Sequence, residues 1–98
     1  MWLVVMFDLP TLTLEERKSA CRFRTALLRQ GFAMLQLSVY VRRCRGLPET
    51  TLSEVRRSLP ASGNVCIVEL TDQQYEAVAQ FDSGRRVVFE KPSALVMF

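Results

Sequence analysis

Two near-continuous apolar runs, two capping boxes and one over-long strand-like stretch predict an α+β fold, a ferredoxin-like βαββαβ sandwich. The runs are Trp2-Leu3-Val4-Val5-Met6-Phe7 and Val65-Cys66-Ile67-Val68-Glu69-Leu70, which have the composition of strands inside a sheet. The boxes, Thr13 with Glu16 and Thr71 with Gln74, each open a helix soon after a strand. The stretch 32–44 is longer than an ordinary strand, so a tight hairpin near Leu35 to Leu37 should divide it. The predicted order is strand, helix, split strand, helix, strand, short helix, strand. The last two elements are extra C-terminal additions to the core. No internal repeat, linker or low-complexity segment interrupts residues 1–98, which read as a single domain.

The first strand ends at Asp8, and Pro10 stops further ladder pairing. Its unbroken apolar character predicts burial on both faces. The first helix starts at Leu14 and runs to about Gln30, with Gly31 as its C′ residue. Ala20, Phe23 and Leu27 share its core face, with Cys21 and Leu28 beside them, while Lys18, Arg22 and Arg29 form a basic stripe opposite. Arg17 and Arg24 fall at the edge of the apolar half. There they either snorkel or, for Arg17, reach toward the strand end that carries Asp8.

After the hairpin come Arg42, Arg43 and Arg45 around Cys44, and Gly46 and Pro48 mark a turn. Leu52, Val55 and Leu59 have helical spacing, with Arg56 and Arg57 turned outward and Pro60 as the stop. Ser62-Gly63-Asn64 is a loop before the second apolar run. The second box opens a short helix through Tyr75, Val78 and Ala79, and Asp82-Ser83-Gly84 turns the chain into a strand over residues 85–90. Pro92 breaks that strand. Residues 92–98 form a tail, and its apolar Leu95, Val96, Met97 and Phe98 suit docking on a partner groove or on another chain's sheet edge, as do Val87, Val88 and Phe89.

Composition narrows the chemistry. Apolar residues make up 49% of the chain, which excludes a disordered segment, and no run is long enough to span a bilayer. No basic n-region precedes the first strand, so a cytoplasmic protein without a signal peptide is expected. Three cysteines at scattered positions suit neither a disulfide framework nor a zinc site, and read as small buried hydrophobes. Zero histidines exclude a Ser-His-Asp or Cys-His system. Carboxylate with a hard metal, or basic residues acting on phosphate, remain.

Asp8 is the candidate for the first. As a strand-end aspartate it has an ordinary structural use, ending the strand or capping a turn. Mg²⁺ takes one or two carboxylates plus water and phosphate, and the other aspartates, Asp72 and Asp82, fall in a cap and a turn. A metal site built on Asp8 therefore needs a second Asp8 supplied by a two-fold axis, that is, a homodimer. For the second, only Lys18 and Lys91 among the 13 basic residues are lysines. Arginine grips phosphate bidentately. The pairs and triplets at Arg42/Arg43/Arg45, Arg56/Arg57 and Arg85/Arg86, with the helix stripe, favour nucleic-acid backbone binding over a plain solvated surface. An RNA-recognition module on this scaffold needs a characteristic aromatic motif that no stretch matches.

Met6-Phe7-Asp8-Leu9-Pro10, Glu15-Glu16-Arg17-Lys18, Phe23-Arg24, Leu27-Leu28, Gly31-Phe32, Gln36-Leu37-Ser38-Val39-Tyr40 and Gly63-Asn64-Val65 together resemble the small prokaryotic CRISPR adaptation protein "Cas two", especially its type II variety. The resemblance spans nearly the whole chain. It departs where Val41 and Arg42 stand in place of a glycine that often follows the Ser-Val-aromatic motif. It implies a homodimer in which Asp8 of each subunit is a divalent-metal ligand and the catalytic residue of a Mg²⁺-dependent endonuclease on RNA or DNA. It equally implies a non-catalytic bridge between dimers of the integrase "Cas one", with basic surfaces holding duplex protospacer DNA during spacer acquisition.

Overall fold

The computed structural model describes residues 1–46, 48–82 and 84–87. In chain order they form β1 (Trp2–Asp8), α1 (Leu14–Arg29), β2 (Ala33–Gln36), β3 (Val39–Arg43), α2 (Glu49–Arg57), β4 (Asn64–Leu70), α3 (Asp72–Glu76), β5 (Gln80–Asp82) and β6 (Arg85–Val87). The first four strands make one sheet in the order β2-β3-β1-β4, with every neighbouring pair antiparallel. This is the ferredoxin-like arrangement expected from the element order. β5 and β6 pair with each other in a separate antiparallel hairpin.

Strand alternation divides β1 between two cores. Leu3, Val5 and Phe7 meet Phe23 and Leu27 of α1 and Val55 of α2, and Tyr40 of β3 joins them. Leu3, Val5, Leu27 and Val55 are fully buried, each removing a large apolar side chain from water at about 1.5–3 kcal/mol. The Phe7 ring meets Phe23 edge-on at 5.1 Å between centroids. On the other face Trp2 and Val4 pack with Val41 and with Tyr75 of α3, and Trp2 stacks on Tyr75 at 3.9 Å. Among the described residues two helices thus cover one face, and the short α3 covers part of the other.

The local signals act as read. The Thr13 hydroxyl accepts the Glu16 N–H at 3.0 Å, and the Glu16 carboxylate accepts the Thr13 N–H at 2.8 Å. The box at Thr71 and Gln74 has the same reciprocal pair. Gln30 caps α1, and Gly31 follows with φ +90°, a conformation glycine adopts without penalty. The long stretch splits at a β2–β3 turn, and the ladder register shifts between Met34 and Gln36.

Some expectations are corrected. Cys21 and Cys66 are exposed and only Cys44 is buried, because the first two fall on the outward phases of α1 and β4. Leu28 and Leu59 stay about half exposed, at 47% and 46%. α2 ends at Arg57, short of Leu59, and α3 ends at Glu76, short of Val78. Burial of β1 on both faces fails at Met6, which is 37% exposed where α3 does not reach. The strand β5 had no sequence signal. Its three residues depend on pairing with β6, not on a hydrophobic period. Val88, Phe89, the rest of the strand expected to residue 90, and the tail with Leu95, Val96, Met97 and Phe98 lie outside the described residues. Among the described residues no helix is long and apolar enough to cross a membrane.

Candidate metal and nucleic-acid sites

The end of β1 is held from three sides. Toward β3, the Phe7 N–H donates to the Ser38 carbonyl at 3.0 Å. Above the helix-covered face, the Arg24 guanidinium lies 5.7 Å from the Phe7 ring centroid, and its Nε–H donates to the Leu37 carbonyl at 3.4 Å. Arg24 therefore ties α1 to the β2–β3 turn, which is more than the snorkelling expected of it. Toward β4, Asp8 pairs directly with Asn64. Gly63 allows this close approach. A Cβ there would sit 2.7 Å from Leu9 Cδ2 and 2.9 Å from the Asp8 carbonyl oxygen, and its φ is +100°.

Alternation along β1 puts Asp8 on the face of Trp2, Val4 and Met6, away from α1 and α2. The side chain is exposed, and among the described residues it has no hydrogen bond or ion pair. Beside it runs an apolar groove of about 300 Å³, lined by Val4, Met6, Val39, Val68, Leu70 and Tyr75. Among the described residues no three His, Cys, Asp or Glu side chains gather around a common metal position. One accessible carboxylate fits an ion such as Mg²⁺ that draws most of its ligands from water and phosphate. It supplies only part of an octahedral set.

Arg17 folds back onto the loop that follows Asp8, donating from one terminal nitrogen to the carbonyls of Thr11 and Leu12 at 3.2 and 3.3 Å. Tyr40 stacks on Phe7 at 5.7 Å. Burial pushes the Tyr40 hydroxyl up, and the Arg24 charge pulls weakly against it, so the phenol stays protonated at neutral pH.

The basic residues are distributed differently from their order in the chain. Lys18, Arg22 and Arg29 do come together, with Thr25, along the outer side of α1. Arg42 and Arg43 do not, because neighbouring strand residues point to opposite faces. Arg42 reaches Glu54 of α2 at 3.9 Å, and Arg43 bonds Asp72 of α3 at 3.0 Å. Arg56 borders a groove between α2 and β4 with Leu52 and Ile67, and the exposed Arg57 bonds back to the Ser53 carbonyl within α2. Arg85 and Arg86 lie in β6 beside Val87. The stripe on α1 and Asp8 are therefore on opposite sides of the sheet.

Among the described residues, fold and site define a small ferredoxin-like sandwich with one face under two helices, an exposed carboxylate at a strand end on the other face, and a cationic helix on the far side. The chain belongs to the CRISPR-associated protein Cas2 family, whose model matches residues 1–78. A protein of Paracidovorax avenae called CRISPR-associated endoribonuclease Cas2 is 47% identical over 93 residues, covering 93% of this chain and 86% of its own. Proteins of the same name from Flavobacterium psychrophilum and Parvibaculum lavamentivorans are 41% and 38% identical, with 95% and 100% of this chain covered and 83% and 100% of theirs.

Proposed function

We propose that this chain is a spacer-acquisition subunit that binds duplex DNA by its phosphates and, as a homodimer, joins two dimers of the integrase "Cas one" without itself cutting. One observation carries this reading. The side chains suited to phosphate, Lys18, Arg22 and Arg29, share the outer surface of α1, across the sheet from Asp8. Duplex gripped there is not presented to its own protomer's Asp8. The open face, with its apolar groove and partly exposed Met6, suits burial against a second copy, which brings two Asp8 side chains toward one axis. Arg85 and Arg86 would extend the phosphate-binding surface, and the tail from Leu95 to Phe98 would dock on the integrase or the partner subunit.

A second reading is a Mg²⁺-dependent endonuclease on RNA or DNA, with Asp8 as metal ligand. It is favoured by the accessibility of Asp8 at a strand end and by the endoribonuclease name of the relatives. A bound Mg²⁺ would supply charge stabilisation at the scissile phosphate and an activated water. Asp8 would hold the ion, and the loop fixed by Arg17 would keep the Asp8 strand end in place. Asp8→Ala separates the readings. Spacer acquisition in cells should survive it if the chain is a bridge. Joint loss of acquisition and of metal-dependent cleavage by the purified protein would replace the first reading with the second.

A further inference from the structure

At the end of β1 the two sides of Asp8 differ: the β1–β3 register stops at Met6 and Val39, and the β1–β4 register continues to Asp8. On the β3 side the chain has already left the strand through the Leu37-Ser38 turn, where Ser38 offers its carbonyl to Phe7 and Leu37 is an exposed hydrophobe. On the β4 side the partner is Asn64, the last pair of the β1–β4 register. Residues directly opposite in an antiparallel pair project from the same face, with Cβ atoms about 4.5–5.5 Å apart. Asn64 is exposed, as Asp8 is. Among the described residues its amide makes no hydrogen bond.

The ordinary use of asparagine before a strand is turn chemistry, but that role is already filled. Gly63, at φ +100°, supplies the left-handed position and packs against the Asp8 carbonyl and Leu9, while Asn64 is in the strand. No core contact depends on the amide either. On this face of β4 the core begins with Val68 and Leu70. An amide at this place brings a neutral carbonyl oxygen beside an anionic one, and hard divalent cations accept both kinds of donor.

We propose that Asn64 is a second ligand-bearing residue of the Asp8 site, its amide oxygen completing with the Asp8 carboxylate a two-oxygen edge for a divalent cation. The inference rests on the reading of Asp8 as a metal ligand. Each protomer then presents a pair of oxygen donors in place of one. The site depends on strand register, because a one-residue slip of β4 would turn Asn64 to the helix-covered face.

The test is Mn²⁺ binding by the full-length protein without nucleic acid, followed by loss of the free-ion electron paramagnetic resonance signal. Asp8→Ala should abolish the site. Asn64→Ala should weaken Mn²⁺ about tenfold or more, by analogy with the loss of a supporting ligand contact. Asn64→Asp, which keeps size and exposure and adds charge, should bind more tightly than the unmodified protein. The near-isosteric Asp variant keeps the test valid if Asn64→Ala fails to fold. Unchanged Mn²⁺ affinity in Asn64→Ala, or no gain in Asn64→Asp, while Asp8→Ala still loses the ion, overturns the role of Asn64 and leaves that of Asp8 standing. Unchanged binding in Asp8→Ala overturns both.

Discussion

The two faces of the central sheet are built from alternate residues of the same strand, yet they have opposite uses. On one, Leu3, Val5 and Phe7 are closed under α1 and α2. On the other, Trp2 and Val4 are closed by Tyr75 of α3, but Met6 and Asp8 lie beyond its reach. The covered face places the strand, and the uncovered end of the other face exposes chemistry. The end of β1 is packed from behind: the Phe7 ring lies among Phe23, Tyr40 and Arg24 one residue before Asp8.

Substitutions can break this contrast, in descending order of their effect on the protomer. Phe23→Ala removes a ring that is 1% exposed from the covered face. It should cost about 3–5 kcal/mol in denaturant unfolding. Gly63→Ala forces a Cβ to within 2.7 Å of Leu9 at a left-handed backbone position, and should cost about 1–3 kcal/mol. If Asp8 binds a metal as proposed, Gly63→Ala should also lower that binding, whereas Phe23→Ala should leave it intact in whatever fraction stays folded. Met6→Lys, on the open face, should change protomer stability by less than about 1 kcal/mol because its side chain can reach water. If the open face meets a second copy, the same change should shift sedimentation from dimer to monomer, and an unaltered dimer would place the interface elsewhere.

The smallest effect belongs to Asp72, which joins the Met1 ammonium at 3.3 Å and Arg43 at 3.0 Å. Desolvation opposes its ionisation, but these hydrogen bonds and charges together outweigh it and hold the carboxyl below its ordinary value. A folded-state value below the unfolded one means stabilisation that is present above the unfolded value and lost as pH falls through the folded one. Arg43→Gln should therefore lower thermal stability slightly at neutral pH, since an exposed pair contributes little, and leave it unchanged at acid pH, which flattens the acid-side slope.

Capping chemistry and the hydrophobic period made both long helices, the split hairpin and the first and last strands of the βαββαβ core legible in the residues. These are local constraints: a threonine and a glutamate three residues apart satisfy one another's backbone wherever the helix ends up. Asp8 could be singled out for the same reason, as a charge ending an apolar run. The arginines were less legible. Adjacency in sequence suggested a cluster at Arg42 and Arg43, but strand alternation sends one to Glu54 and the other to Asp72. Asn64 was read as part of a loop, since nothing local sets it opposite Asp8.

By itself, then, the sequence determined the order and type of the elements, the helix boundaries to within a turn, and the absence of imidazole chemistry. These follow from period, caps and composition. Only the tertiary structure decided which face of the sheet α1 and α2 cover, that the basic stripe of α1 lies across the sheet from Asp8, and that Asn64 stands beside it. Those facts depend on strand order and register, which are set by long-range pairing of β1 with β3 and β4 and not by any residue's neighbours in the chain.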